Sequence, residues 1–331
     1  KYVEIREWIA VCLVYSPYMA SKPRLLTGLQ SSGDLHIGNY FGALKPFKDT
    51  YEKYDSFLMV ADYHALTSLK DPAKLRENIK NAVRDYLAIG VDPKKAVIFK
   101  QSDVSAHTEL AWIFDCLVTV PFLELGHAYK DKVAKGLEAN AGLFTYPMLM
   151  AADILLYDAV AVPVGEDQRQ HIEYAREAAA KFNNAYGTLF TEPKELILKG
   201  VGVVPGTDGA KMSKSYGNTI PLFGSKDEIT KAVMGIVTDS SGERPANVYA
   251  IHTLFKSEEE LAPVYETHKG KYKNLKEALI EDIDAALSPM REMRAQITDA
   301  DVAEVLKDGA ERAHAVADEK IKTVRSAVGV D

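Results

Sequence analysis

Residues 28–40, GLQSSGDLHIGNY, constrain the fold more than any other stretch of the chain. They follow the apolar pair Leu25-Leu26, and an apolar helical pattern begins near Tyr40. A strand that gives way to a Gly/Ser-rich turn and then a helix points the helix's unpaired N-terminal amides at an anion. Far downstream, residues 211–215 (KMSKS) set two lysines around small hydroxyl residues. The expectation is that these two phosphate-handling segments meet over one nucleotide.

The rest of the chain repeats this grammar. Residues 57–60 (FLMV) read as a strand, 72–87 as a helix with Leu75, Ile79, Val83 and Leu87 on its apolar face, and 96–99 (AVIF) as the next strand. Residues 105–158 break the rhythm, being long, mostly helical and apolar, and read as an insertion. Strand-like AVAVPV at 159–164 and a helix over 168–182 follow. Strands separated by helices imply parallel βαβ units, hence an α/β chain with a Rossmann-like doubly wound parallel sheet. After about residue 222 the pattern is helical. Ser288-Pro289 is expected to start one helix, Asp299 to cap the last, and Gly329 to stop it. The chain thus divides into 23–222, a catalytic domain carrying the 105–158 insertion, and 223–331, an all-α domain. Residues 1–22 read as an N-terminal extension. Its apolar run at 8–15 is too short to span a bilayer, Glu4 and Glu7 make it a poor signal peptide, and Met19 is the expected natural start.

With 331 residues, 47% of them hydrophobic, the chain can bury the core of one large α/β unit and a smaller appended one. A net charge of −7 argues against a protein that coats nucleic acid indiscriminately, although basic residues grouped on one face leave a nucleic-acid partner open. Cys12 and Cys116 are far apart and lack a C-x-x-C pattern, so neither a disulfide framework nor a cysteine-rich metal or iron–sulfur site is supported. A reducing cytoplasm is the default compartment.

Chemistry concentrates in the two segments. Gln30, Ser31 and Ser32 can donate to phosphate oxygens, as can His36 one turn from a helix N-terminus; Gly38 leaves room for a purine, and Asn39 can donate to the ligand. Each alone has a bland reading, a plain turn or a surface histidine. Residues 205–209 (PGTDG) and 216–218 (YGN) bound the second segment and suit a lid. There Lys211 and Lys214, with Met212, Ser213 and Ser215 around them, would neutralise charge developing on a pyrophosphate leaving group. A solvated loop is the bland reading of any K-x-x-K, but a full KMSKS downstream of HIGN is much rarer.

With those motifs the chain resembles class I aminoacyl-tRNA synthetases, whose signatures are HIGH and KMSKS. The form SSGDLHIGNYFGAL is similar to the bacterial-type tryptophanyl-tRNA synthetases. The resemblance runs from about Pro23 to the end and takes in residues 61–67 (ADYHALT), 146–157 (YPMLMAADILLY) and 163–168 (PVGEDQ). Ser31 departs from the family, which usually has proline there. Leu26 stands where the family often has phenylalanine.

The resemblance implies a ligase that activates L-tryptophan with ATP and Mg²⁺ and transfers it to tRNA(Trp) in the cytoplasm. It implies no protein-bound metal, no membrane partner, a homodimer formed through residues 105–158, and anticodon reading by residues 223–331. On this reading Lys211, Ser213, Lys214 and His36 carry catalysis. Gly165, Glu166 and Asp167 would meet the ribose, Asp167 also serving as a helix cap, and Val203 would shelve adenine. Tyr146 and Gln168 would hold the substrate's ammonium, Met150 and Val164 would pack its ring, and His64 would close the pocket.

Asp153 has a physical argument as well. Pro147 suits the first turn of a helix, and Tyr146, Met150, Asp153 and Tyr157 then share one face. A carboxylate on an apolar stripe needs a donor, and an indole N–H is a donor without acceptor capacity. Asp153 would therefore recognise tryptophan; a structural aspartate satisfied by a neighbouring amide or arginine is the alternative. Three rivals stand beside the whole reading. They are a tyrosyl-tRNA synthetase, whose lid is typically KFGKT-like, another nucleotidyltransferase, and a synthetase paralogue that only senses tRNA or tryptophan.

Overall fold

The computed structural model of the chain describes residues 22–29, 35–136, 138–163, 169–196, 204–238 and 244–331. Residues 1–21 and the expected site residues Gln30, Ser31, Ser32, Val164, Gly165, Glu166, Asp167, Gln168 and Val203 lie outside them. Among the described residues five strands form one parallel sheet. They are β1 (Arg24–Leu29), β2 (Asp55–Val60), β3 (Ala96–Lys100), β4 (Ala161–Pro163) and β5 (Lys194–Leu196), in the order β3-β2-β1-β4-β5. Leu26 registers with Phe57 and Phe57 with Val97, so successive side chains alternate between two faces in step. Leu26, Phe57, Met59, Val97 and Phe99 enter one core; Leu25, Leu58, Val60, Ala96 and Ile98 enter the other. A parallel sheet is covered on both faces, which is why its strands read as unbroken apolar runs.

After β1 the chain turns through Ile37–Asn39, a π-helical Tyr40–Leu44, and Lys45–Lys48, together α1. Short α2 (Asp62–Ala65) follows β2. The next helix, α3 (Pro72–Ala88), starts where the Asp71 carboxylate accepts from the Ala73 and Lys74 amides. From β3, at one edge, the chain must cross a sheet face to reach β4 on the far side of β1. It does so through α4 (Ala106–Asp115), α5 (Val120–Leu123), α6 (His127–Ala134) and α7 (Ala141–Leu156). Leu110, Phe114, Ala151, Ala152 and Leu155 fill the core over Phe57 and Phe99. The stretch 105–158 is thus an insertion in sequence and a structural layer in space. α8 (Arg169–Tyr186) then leads to β5.

Beyond the lid come α9 (Lys226–Met234), α10 (Ala246–His252), α11 (Glu258–Thr267), α12 (Tyr272–Gln296) and α13 (Asp299–Val328). Three local expectations need correcting. Pro289 starts nothing, because α12 runs through it; Leu279, Ile280, Ile283 and Leu287 bury one continuous face and outweigh the single lost hydrogen bond. Pro147 lies well inside α7, whose start is set earlier by Asn140, its side chain accepting from the Leu143 amide at 2.9 Å. Thr298, not Asp299, caps α13: its amide donates to Asp301 at 2.8 Å and its hydroxyl accepts from the Asp301 amide at 3.2 Å. Asp299 instead pairs with Lys80 and Arg84 of α3. Gly329, at φ +80°, ends the helix as expected.

α13 also ties the helical C-terminal part back onto the sheet, across the boundary expected near residue 222. Val302 packs in one core and Ala313, Ala317, Ile321 and Val324 in the other, so the helix passes over the outer edge of β3. Arg312 donates to the carbonyls of Pro93 (2.8 Å) and Ala96 (3.3 Å), and His314 Nε2 sits 2.9 Å from the Asp103 carbonyl. Between them Gly309 rests directly on the Ile98 carbonyl, where an added Cβ would overlap the oxygen. An edge strand's open backbone groups are thereby covered.

Alanine is the better helix former than glycine by about 1 kcal/mol. Gly309→Ala is nevertheless expected to cost a net of about 2 kcal/mol, because helix and strand must move apart. A lower urea midpoint for Gly309→Ala checks this, and a raised one would show that α13 stands clear of the strand.

Candidate functional site

Strand order reverses between β1 and β4, and ligands of such sheets bind outside the carboxyl ends of the strands at that point. Two cavities are lined by expected site residues, the smaller of them at that point. One, of about 800 Å³, lies between the start of α1, the lid and α9, and is lined by residues including His36, Thr207, Lys214, Glu228 and Lys231. The other, of about 410 Å³, lies over the end of β1 and is lined by residues including Leu26, Gly28, Met59, His64, Tyr146, Met150, Asp153 and His171.

The two phosphate-handling segments do meet. Ile37 donates to the Ile220 carbonyl at 3.0 Å and Leu222 to that of Leu35 at 2.9 Å, so the entrance to α1 pairs with the exit from the lid. A Cβ on Gly38 would lie 2.8 Å from His36 Nδ1 and 3.2 Å from Met212 Cβ. The missing side chain therefore also lets the lid's Met212 pack onto the helix start.

Asn39 turns its side-chain oxygen back to accept from the His36 amide at 3.1 Å. The His36 ring is largely buried, its Nδ1 without a hydrogen-bond partner among the described residues. Burial, then the nearby Lys214 charge, lower its pKa to about 4. His36 is therefore neutral at pH 7. Because the unfolded chain takes up the proton first, this histidine's contribution to stability is present above pH 6.5 and is lost as pH falls towards about 4. A titration of the ring carbons by NMR is expected to inflect near pH 4, and higher in Lys214→Ala; an inflection near 6.5 in the wild type would contradict the burial.

Asn218, only 2% exposed, organises the lid. Its amide donates to Asp208 (2.7 Å) and to the Lys211 carbonyl (3.1 Å), its side-chain oxygen accepts from the Ser213 amide (2.8 Å), and its backbone carbonyl accepts from Thr207 (2.9 Å). An added Cβ on Gly206 would overlap the Asn218 amide, so that position has room only for glycine. Residues 205 and 211 bridge as a tight hairpin, and Lys214–Tyr216 forms a single helical turn closed by Gly217 at φ +65°. Ser213 and Ser215 hydroxyls lie 2.9 Å apart.

In the smaller cavity, Tyr146, Met150 and Asp153 share one face of α7, as their spacing implies. Tyr146 bonds His171 at 2.8 Å. Asp153, 2% exposed, is satisfied by three partners rather than by an arginine. Gln101 donates to both oxygens (2.8 and 3.0 Å), His107 Nδ1 lies 2.6 Å from Oδ1, and His64 Nε2 lies 2.8 Å from Oδ2. Burial opposes the charge, but the bonds from His107 and His64 outweigh it and hold the carboxyl down at about 2. The Gln101 side-chain oxygen accepts from the Tyr63 amide at 3.1 Å, which fixes which end of the amide faces Asp153. Asp62 accepts from the Ser102 amide (3.0 Å) and hydroxyl, locking α2, which carries His64, to the turn Gln101–Asp103.

Gln101, His107, His171 and Asn218 are site residues that motif reading does not find. The usable signal for Gln101 was positional, polar residues just past a strand's carboxyl end. His107 carries none, and Asn218 is visible only as part of the YGN that bounds the lid. Among the described residues no group of three or more His, Cys, Asp or Glu side chains is placed to hold a metal ion, and no helix is long and apolar enough to cross a membrane.

Comparison with known proteins gives these findings. The profile of the family described as tRNA synthetases class I (W and Y) matches residues 19–302. The chain is 48% identical over 318 residues to the tryptophan–tRNA ligase of Fusobacterium nucleatum, covering 93% of this chain and 98% of that one. It is 46% identical to that of Campylobacter jejuni, with 93% and 100% covered. The solved structure of tryptophanyl-tRNA synthetase from Campylobacter jejuni complexed with ADP and tryptophan is similar at a TM-score of 0.88 and 44% identity, over 92% of this chain and 99% of that one.

Proposed function

The chain belongs to the tryptophanyl and tyrosyl family of class I tRNA synthetases, and from that premise we propose how its site divides the work. It is a tryptophan–tRNA ligase, which activates L-tryptophan with ATP to tryptophanyl-adenylate and transfers it to the 3′ end of tRNA(Trp). The observation that carries the assignment of parts is the pairing of residues 35–37 with 220–222, which sets His36 and Lys214 on one cavity.

Mg·ATP, with the metal arriving as part of the substrate, would lie at the larger cavity. Its phosphates would meet Gln30, Ser31, Ser32 and His36, its ribose Gly165, Glu166 and Asp167, and its adenine Gly38, Asn39 and Val203. The tryptophan carboxylate attacks the α-phosphorus in line, and charge moves onto the departing pyrophosphate. Lys211, Lys214 and Ser213 would neutralise it, with Met212 and Ser215 shaping the loop. No protein nucleophile is needed. A terminal hydroxyl of tRNA then displaces AMP.

Tryptophan would seat its indole N–H on Asp153, its ring between Met150, Val164 and Leu26, and its ammonium near Tyr146 and Gln168, with His64 closing over it. The three donors already on Asp153 support this role, since they keep the group an ionised acceptor. Exposed Trp112, Val120, Leu125 and Val133 on α4–α6 support a homodimer through that surface. The helices after residue 222 would read the anticodon, in the cytoplasm where translation runs.

Amino-acid-dependent ATP–pyrophosphate exchange with each of the twenty amino acids tests the reading. Tryptophan is expected to drive exchange alone; exchange driven by tyrosine instead would move the chain to the family's other branch.

A further inference from the structure

Asp153 meets the cavity with unequal oxygens. Oδ1 is enclosed, taken by His107 Nδ1 at 2.6 Å and Gln101 at 2.8 Å. Oδ2 lies on the side of His64, which lines the cavity with Asp153, and takes His64 Nε2 at 2.8 Å and Gln101 at 3.0 Å, so that a ligand donor arriving there shares or replaces one of these two bonds. His107 is fully buried, and its other nitrogen, Nε2, lies 3.0 Å from the Tyr157 hydroxyl. Burial, and then the Asp153 charge, push the Tyr157 phenol well above its usual range, so it remains a hydroxyl and a donor. A ring that accepts at Nε2 presents Nδ1–H to the carboxylate.

We propose that His107, oriented by Tyr157, is a positioning residue for substrate choice: it ties down Oδ1 from behind and holds Asp153 as an acceptor whose Oδ2 faces the cavity. This rests on the reading of Asp153 as the indole acceptor. Such an oxygen takes a side chain that only donates. A phenol, which needs a donor as well as an acceptor when buried, finds no donor to spare, because those around Asp153 are committed to it.

If the His107 bond is lost, only the His64 bond is left to offset burial, so the carboxyl's pKa is expected to rise and proton uptake to become easier. Protonated, it both donates and accepts, and tyrosine becomes tolerable. The charged and titratable groups that face this centre are His64 from α2, His107 from α4 and Tyr157 at the end of α7. Behind Tyr157 stands Asp318 of α13, and Tyr146 and His171 pair on the cavity wall.

The test is pyrophosphate exchange driven by tryptophan, tyrosine and phenylalanine, from pH 5 to 8, on wild type, His107→Leu, His107→Asn, Tyr157→Phe and Asp153→Ala. For His107→Leu, kcat/KM for tryptophan is expected to fall about 10²-fold, mainly through KM, and the tryptophan-to-tyrosine ratio about tenfold. An acid limb is expected to appear above pH 5. His107→Asn, whose amide can donate from nearly the same place, restores most of the loss. Tyr157→Phe moves all three readouts the same way by about threefold, and it decides the matter should His107→Leu not fold.

A His107→Leu enzyme with lower activity but an unchanged pH profile and an unchanged tryptophan-to-tyrosine ratio would overturn the proposal, as would His107→Asn behaving no better than leucine. Asp153→Ala separates the two levels. If it keeps the tryptophan-over-phenylalanine preference, the Asp153 reading fails; if it loses that preference while the His107 variants keep flat profiles, only the role of His107 fails.

Discussion

Asp153→Ala is expected to lower the preference for tryptophan over phenylalanine in pyrophosphate exchange by about 10³-fold. Phenylalanine leaves a buried carboxylate without its ligand partner in the wild-type site, whereas alanine removes the group that makes this costly. The variant also strands three donors, on Gln101, His107 and His64, in a buried setting. Each stranded donor costs about 1–3 kcal/mol, so the melting temperature should fall too. The ratio is the informative readout, because both amino acids meet the same folded fraction. Asp153→Asn should do little better, since an amide placed there must turn one N–H towards a donor. With its pKa depressed to about 2, the wild-type carboxylate contributes stability above its unfolded value of about 3.9 and loses it as pH falls through about 2. Tryptophan affinity should therefore show no inflection from Asp153 across the neutral range. An unchanged tryptophan-over-phenylalanine ratio in Asp153→Ala would remove Asp153 from recognition altogether.

Lys214→Ala is expected to slow adenylate formation by about 10²- to 10³-fold while ATP affinity changes by no more than about threefold. The lysine shares its cavity with His36, whose lowered pKa already registers the lysine's charge. An interaction that strengthens as charge moves onto pyrophosphate appears in the rate and not in ground-state binding. Single-turnover measurement of adenylate formation, set against equilibrium ATP binding, distinguishes the two; equal losses in both would contradict the lid's role. Asn218→Ala gives a companion measurement. It keeps both lysines but removes the bonds to Asp208, to the Lys211 carbonyl and to the Ser213 amide. A loss of about tenfold in rate is expected, arising from a lid held in fewer productive positions.

The alternation of strands and helices was legible because apolar runs in a parallel sheet must be unbroken, and Leu25-Leu26, residues 57–60 and residues 96–99 all obey that. The two signature segments were legible because they combine unusual residues in a fixed order. What misled was local chemistry overruled by burial. Pro289 looks like a helix start until Ile283 and Leu287 are seen packed on one face with it inside the same helix. Asp299 looks like a cap but serves an ion pair with α3, while its neighbour Thr298 caps. Asp153 was legible by its isolation on an apolar helix face. Its partners Gln101 and His107 were not, because they come from other elements and nothing in their local sequence points to α7.

The covering of β3 by α13 sets an order of events. Translation runs from the amino end, so all five strands leave the ribosome before the helix that shields the sheet's outer edge. At typical rates of about 5–20 residues per second, synthesis of α13 and what precedes it leaves β3 uncovered for about 10–40 seconds. During that interval the strand can pair with another nascent chain, and Gly309, Arg312 and His314 are the residues whose arrival closes the opportunity. A chain cut short before α13 would carry the whole catalytic sheet and both signature segments, yet its yield would be limited by aggregation and not by any defect in the chemistry.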